Sequence, residues 1–134
     1  MNKFNLSIRT NKPAIRVRLG KEMSINKKVF YALGNPEYIH FWWSESQKVL
    51  LISEAPENNP LSIKIKDCYY TTKNGFKIER NNFVQVIMKI AGWRPDIIYA
   101  VTGEYIAELN MVAFKLNSAE ELEVEQEMAV DSNE

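Results

Sequence analysis

At 134 residues the chain fits one compact domain or two very small ones, since single domains commonly run to ~100 to 150 residues, and a composition of 46% hydrophobic and 11% aromatic residues argues against wholesale disorder. No apolar run approaches the ~20 residues needed to cross a bilayer, and Met1-Asn2-Lys3-Phe4-Asn5 lacks the apolar core of a signal peptide, so a cytoplasmic protein without a membrane partner is expected. The single cysteine, Cys68, excludes an intramolecular disulfide and agrees with a reducing compartment.

In chain order, Phe4 to Ile8 and Ala14 to Leu19 read as strands separated by Arg9-Thr10-Asn11-Lys12-Pro13, which holds turn residues and a proline. Ile15, Val17 and Leu19 share one face and Arg16 and Arg18 the other, because side chains alternate across a strand. This sets two guanidinium groups about 7 Å apart on a solvent face, near the spacing of successive phosphates on a nucleic-acid strand. Met23 to Leu33 reads as a strand end leading into a short helix, with Asn26 as N-cap and Gly34 as stop. Tyr38 to Trp43 and Val49 to Ile52 are β-rich runs joined by Ser44-Glu45-Ser46-Gln47-Lys48, a hairpin with a longer loop. Within it Ile39, Phe41 and Trp43 share one face and Tyr38, His40 and Trp42 the other, and aromatic mass on both faces points either to a strand covered on both sides or to one face that waits for a partner.

Glu54 to Pro60 is a polar loop that divides the chain into candidate halves, 1–55 and 61–116. Leu61, Ile63 and Ile65 then alternate with Ser62, Lys64 and Lys66 as a strand with a basic outer face. A turn at Lys73-Asn74-Gly75 precedes a short strand, Phe76 to Glu79. Phe83, Ile87 and Ile90 follow the helical period over Asn82 to Ala91, with Asn81 or Asn82 as cap and Gly92 as stop. Ile97 to Thr102 and Met111 to Leu116 read as strands, and Gly103 to Asn110 contains their connection, with another short strand as an alternative for part of it. The fold class expected is α+β, mostly antiparallel sheet with two short helices.

The formal net charge of zero conceals a segregation along the chain. Residues 117–134 contain Glu120, Glu121, Glu123, Glu125, Glu127, Asp131 and Glu134 and no Lys or Arg, which predicts a flexible acidic tail. Residues 1–116 therefore hold all 17 basic side chains against 10 acidic ones. The first 30 residues are the most unbalanced, with Lys3, Arg9, Lys12, Arg16, Arg18, Lys21, Lys27 and Lys28 against Glu22 alone. A local excess of this kind attracts phosphate, although solvated lysines also serve simply to keep a domain in solution.

One order, strand, capped helix, Gly, Pro and hairpin, occurs twice, first around Asn26, Gly34 and Pro36 and again around Asn82, Gly92 and Pro95. The repetition suggests a pseudo-duplicated unit whose halves share one sheet. Ile-Arg-Val-Arg-Leu at 15–19, Ser-Ile-Asn-Lys-Lys-Val-Phe-Tyr-Ala-Leu-Gly-Asn-Pro-Glu-Tyr-Ile at 24–39 and Lys-Val-Leu-Leu-Ile at 48–52 resemble the swapped-hairpin unit of AbrB/MraZ-like bacterial DNA-binding proteins. That resemblance covers about a third of the chain and implies a bacterial or mobile-element DNA-binding protein contacting DNA through Arg9, Arg16, Arg18 and Lys21.

One His and one Cys cannot supply a zinc tetrad. Five glycines form no phosphate-binding or dinucleotide pattern, and no spacing brings Glu37, Asp67 or Asp96 together for hydrolysis. Neither metal nor cofactor is expected, nor an enzyme. Trp42, Trp43, Trp93, Tyr69 and Tyr70 are able to stack on unpaired bases, but core packing is the plainer reading. The leading expectation is a DNA-binding regulator or accessory protein, with a homodimer as one assembly open to it, using Arg9, Arg16, Arg18, Lys21, Lys27 and Lys28. Its competitor is a protein-interaction module using Tyr38, His40 and Trp42.

Overall fold

The computed structural model describes residues 12–56, 62–65, 76–78 and 81–122. The expected strand at 4–8, the turn at 73–75, Arg9, Lys66, Asp67, Cys68, Tyr69 and Tyr70 lie outside them.

Strand β1, Ala14–Arg18, alternates as its residue pattern requires, with Ile15 and Val17 buried and Arg16 and Arg18 on the opposite face. Leu19 and Gly20 then take positive φ angles of 52° and 68°, turning the chain into β2, Glu22–Ile25, which pairs antiparallel with β1. Asn26 sets the start of the first helix. Its Oδ1 accepts from the backbone N–H of Val29, capping helix α1, Lys27–Ala32, and also from that of Ala14, while its Nδ2 donates to the Lys12 carbonyl. One side chain thus ties a helix start to the strand two elements earlier. The helix ends where Gly34 adopts φ 85°, with the Gly34 and Asn35 amides donating back to the Tyr31 and Phe30 carbonyls. This arrangement satisfies carbonyls that a helix end otherwise leaves unpaired.

Strands β3, Tyr38–Ser44, and β4, Val49–Glu54, form the first hairpin. Two short strands come next, β5 at Ile63–Lys64 and β6 at Phe76–Ile78. Helix α2, Asn81–Ala91, ends at Gly92 with the same geometry as α1, since the Gly92 and Trp93 amides reach the Lys89 and Met88 carbonyls. Strands β7, Ile98–Ile106, and β8, Met111–Lys115, make the second hairpin, and a 3₁₀ turn at Leu116–Ser118 leads to β9, Glu120–Leu122.

All nine described strands belong to one curled, half-barrel sheet in the order β5-β3-β4-β8-β7-β1-β2-β6, with β9 added beside β7, and every pairing among them is antiparallel. The α+β expectation holds. The two sequence halves do not pack separately, because β1 pairs with β7, β3 with β5, β4 with β8 and β2 with β6. Both helices lie against the inner face of the sheet. Val29, Phe30 and Leu33 of the α1 region and Val84, Ile87, Met88 and Ile90 of α2 join Ile15, Val17, Ile39, Leu50, Ile52, Val112 and Phe114 in one core.

Two boundaries differ from expectation. The connection placed at 103–110 is shorter, because β7 continues through Ile106 and the loop is only Ala107 to Asn110. The acidic segment expected to begin a tail at 117 instead starts inside the fold, where Glu120, Glu121 and Leu122 pair with Ala100, Tyr99 and Ile98. Backbone pairing to an available strand edge outweighs the poor strand propensity of glutamate.

Gly103 explains the first difference. A Cβ there would stand 2.5 Å from Cε1 of Phe114, its buried cross-strand partner, so the ring occupies the space a side chain would need. Gly103→Ala should destabilise the chain by about 1 to 3 kcal/mol through overpacking, measured as a lower urea midpoint. Adding Phe114→Leu should recover part of that loss, and a double variant no better than the single one would show that the ring is not the obstacle.

Candidate nucleic-acid interface

The alternation of β1 places Arg16 and Arg18 on the outer face of the sheet, both half-buried and both engaged in contacts within the fold. Their neighbours are set by the register. Arg16 lies opposite Ser24 of β2, which in turn lies opposite Lys77 of β6. Adjacent strands are ~4.8 Å apart, so Arg16 and Lys77 stand about 10 Å apart in one row. Arg18 lies opposite Glu22, and the Glu22 carboxylate is 3.7 Å from Nζ of Lys77. The outer face of β1, β2 and β6 therefore carries Arg16, Arg18 and Lys77 against the single carboxylate Glu22 among the described residues. Lys21, exposed in the turn after β1, adds a further charge beside Arg18.

The structure does not group all of the expected basic residues equally. Lys27 and Lys28 start α1, whose Asn26 cap is tied to Ala14 and Lys12 at the far end of β1 from Arg18 and Lys21. Lys28 holds its Nζ 5.7 Å from the centre of the Tyr31 ring. Lys77 was not among the expected site residues. Its separation from Arg16 by 61 positions hides their proximity, and only the strand order brings them into one row.

The aromatic residues divide by environment. Trp42 lies on the outer face, 48% exposed, with its Nε1–H donating to Ser53 Oγ at 3.0 Å and its ring edge-on to His40 at 4.4 Å. Leu51, half-buried, and Ala113 continue its row across β4 and β8. His40 Nδ1 is buried without a hydrogen-bond partner, and Tyr38 is half-buried opposite Lys64. Trp43 follows the inward alternation but sits at the open end of the sheet, 45% exposed, with its ring 5.7 Å from that of Phe83. Trp93 is stacked flat on Tyr99 at 4.6 Å and serves packing. Arg94 is bonded to Asp96 at 2.8 Å. No cluster of three or more His, Cys, Asp or Glu side chains able to hold a metal occurs among the described residues, and no described helix is long and apolar enough to cross a membrane.

Glu22 is the test of whether these cations act as one surface. Glu22→Gln should make the protein elute from an immobilised sulfated polyanion at higher salt, while changing stability by only about 1 kcal/mol, because the amide keeps the shape of the side chain and the ion pair is a loose one, 3.7 Å long with an exposed lysine. An unchanged elution would mean that the charges around it do not act together.

Compared with protein-family models, with curated proteins and with solved structures, the chain matches none.

Proposed function

We propose that this chain is a DNA-binding regulator or accessory protein that holds duplex backbone phosphates against the outer face of β1, β2 and β6. The observation that carries this reading is the row in which Arg16 and Lys77 flank Ser24, with Arg18 and Lys21 at its end. Cations about 7 Å apart along a strand and about 10 Å apart across two strand spacings span the dimensions of successive phosphates. Arg and Lys differ in use here, the guanidinium forks gripping phosphate oxygens in two places and the lysines adding charge.

A duplicated architecture supports the reading. The unit β1-β2-α1-β3-β4 corresponds to β5-β6-α2-β7-β8, and exchanging the two preserves six of the seven neighbour pairs in the described strand order, the exception being β1·β2, whose counterpart β5·β6 is not among the described pairings. The hairpin β3·β4 goes to β7·β8, the pair β1·β7 goes to β5·β3, and β4·β8 and β2·β6 are retained. Both hairpin loops have four residues and end in a residue of positive φ, Lys48 at 55° and Asn110 at 51°. Aligning these loops matches Tyr38 with Ala100, which makes the pair Lys64 and Tyr38 the counterpart of the pair Arg16 and Ala100. The sequences agree, since Ile63-Lys64-Ile65 repeats the pattern of Ile15-Arg16-Val17. One chain then presents two related cationic strands, Arg16 on β1 and the exposed Lys64 on β5, as a two-chain dimer would. That arrangement suits the two antiparallel backbones of a duplex.

A second reading is favoured by Trp42. A tryptophan half-exposed on an outer sheet face, held by Ser53 and His40 and continued by Leu51 and Ala113, has the form of an anchor for another protein.

Arg16→Glu with Arg18→Glu should weaken binding to a duplex of mixed sequence more than tenfold, and Lys64→Glu should weaken it in the same direction. Wild-type affinity should fall steeply between about 50 and 200 mM salt, because several phosphate contacts release counterions. A curve flat in salt, or a loss on Trp42→Ala with none on the arginine changes, would transfer the assignment to the protein-interaction reading.

A further inference from the structure

Strand β9 carries the chain, two strands away from β1, to the level of Arg18. β1 and β9 flank the same strand on opposite edges, and both run antiparallel to it. They therefore travel in one direction, from Ala14 to Arg18 and from Glu120 to Leu122. The register sharpens this, because Ile98 of β7 is the cross-strand partner of both Arg18 and Leu122. The chain consequently leaves the sheet level with Arg18, two strand spacings or about 10 Å away, at the end where the turn carrying Lys21 also lies.

Within the twelve residues 123–134, Glu123, Glu125, Glu127, Asp131 and Glu134 are acidic and none is basic. Twelve residues reach at most about 40 Å, about four times the distance to Arg18 and about twice that to Lys77, which lies four strand spacings from β9. A covalently linked ligand confined to so small a volume acts at an effective concentration in the millimolar range. Carboxylates and phosphates are recognised by the same forked guanidinium geometry, so the segment and a nucleic acid would occupy the same donors.

We propose that residues 123–134 are a built-in competitor that docks over Arg16, Arg18, Lys21 and Lys77, and that a polyanion must displace them to bind. β9 is the anchor that makes the competition intramolecular. The inference rests on the cationic face and adds regulation to the proposed DNA-binding function.

The test uses the full chain beside a chain ending at Leu122, which keeps β9 and so leaves the pairing with β7 intact. Zero-length carbodiimide cross-linking of the full chain at low salt, read by mass spectrometry, should join Lys21 or Lys77 to Glu123, Glu125 or Glu127. Excess heparin or about 300 mM salt should suppress those links, as screened or displaced charges require. In parallel, the shortened chain should bind a mixed-sequence duplex roughly tenfold more tightly at about 50 mM salt, with the difference vanishing as salt rises. Tightening without the cross-links would overturn the proposal, because removing five negative charges would then act only through the overall field. Cross-links confined to Lys89 or Lys115 would overturn it as well. Cross-links in place, with duplex bound by neither chain, would uphold the docking and reject the nucleic-acid reading instead.

Discussion

Strand β7 is paired along both edges, and the rest of the molecule depends on how that is arranged. On one edge Ile98 to Thr102 carry β1. On the other, Gly103 to Ile106 carry β8, and Ile98 to Ala100 carry β9. Through β1 this strand holds β2 and β6, and through β8 it holds the first hairpin. At the changeover stands Gly103, whose missing side chain is replaced by the fully buried ring of Phe114. A larger residue there would separate the strands that join the two halves into one sheet, and the inner face would lose its continuity.

Continuity of that inner face decides what remains on the outside. Both helices are spent on covering the inner side, where their apolar stripes meet the alternate residues of the strands. The outer side of the described sheet keeps most of the polar and charged alternates, together with Trp42, Leu51, Ala113 and Ile98. The position of a cation on that side is then set by strand order. Arg16, Ser24 and Lys77 come from three strands and form one row because β1, β2 and β6 are consecutive in the sheet. Glu22 sits among these cations, 3.7 Å from Lys77 and opposite Arg18, and Glu120 shares the row of Arg16 beyond Ala100.

The proposed duplication bears on stability as well as on function. A single strand-helix-hairpin unit has hairpin edges with unpaired N–H and C=O groups and an apolar face without a cover. In this chain each half supplies a strand to the other, β1 to β7 and β5 to β3, and the hairpins meet at β4 and β8. The halves are therefore interleaved, which explains why the polar loop after Glu54 divides the sequence without separating two packed bodies.

Local chemistry was legible in the residues themselves. Asn26, Gly34 and Gly92 act at helix ends through hydrogen bonds and φ angles that depend on near neighbours, and the alternation of Ile15-Arg16-Val17-Arg18 sets two faces whatever lies beside the strand. Four features needed the tertiary structure. Strand β7 runs on through Gly103 and Glu104 because Phe114 packs on the glycine and β8 pairs with the backbone. Glu120 to Leu122 form a strand because β7 offers an open edge. Trp43 keeps the inward alternation yet stays exposed because its position is at the end of the sheet. Lys77 joins Arg16 because β2 lies between them. Short-range bonds and side-chain period are properties of neighbours in sequence, so the chain alone determined its helix ends and the faces of its strands. Which strand edges meet is settled by the burial of one shared core, and that decided which charges stand together.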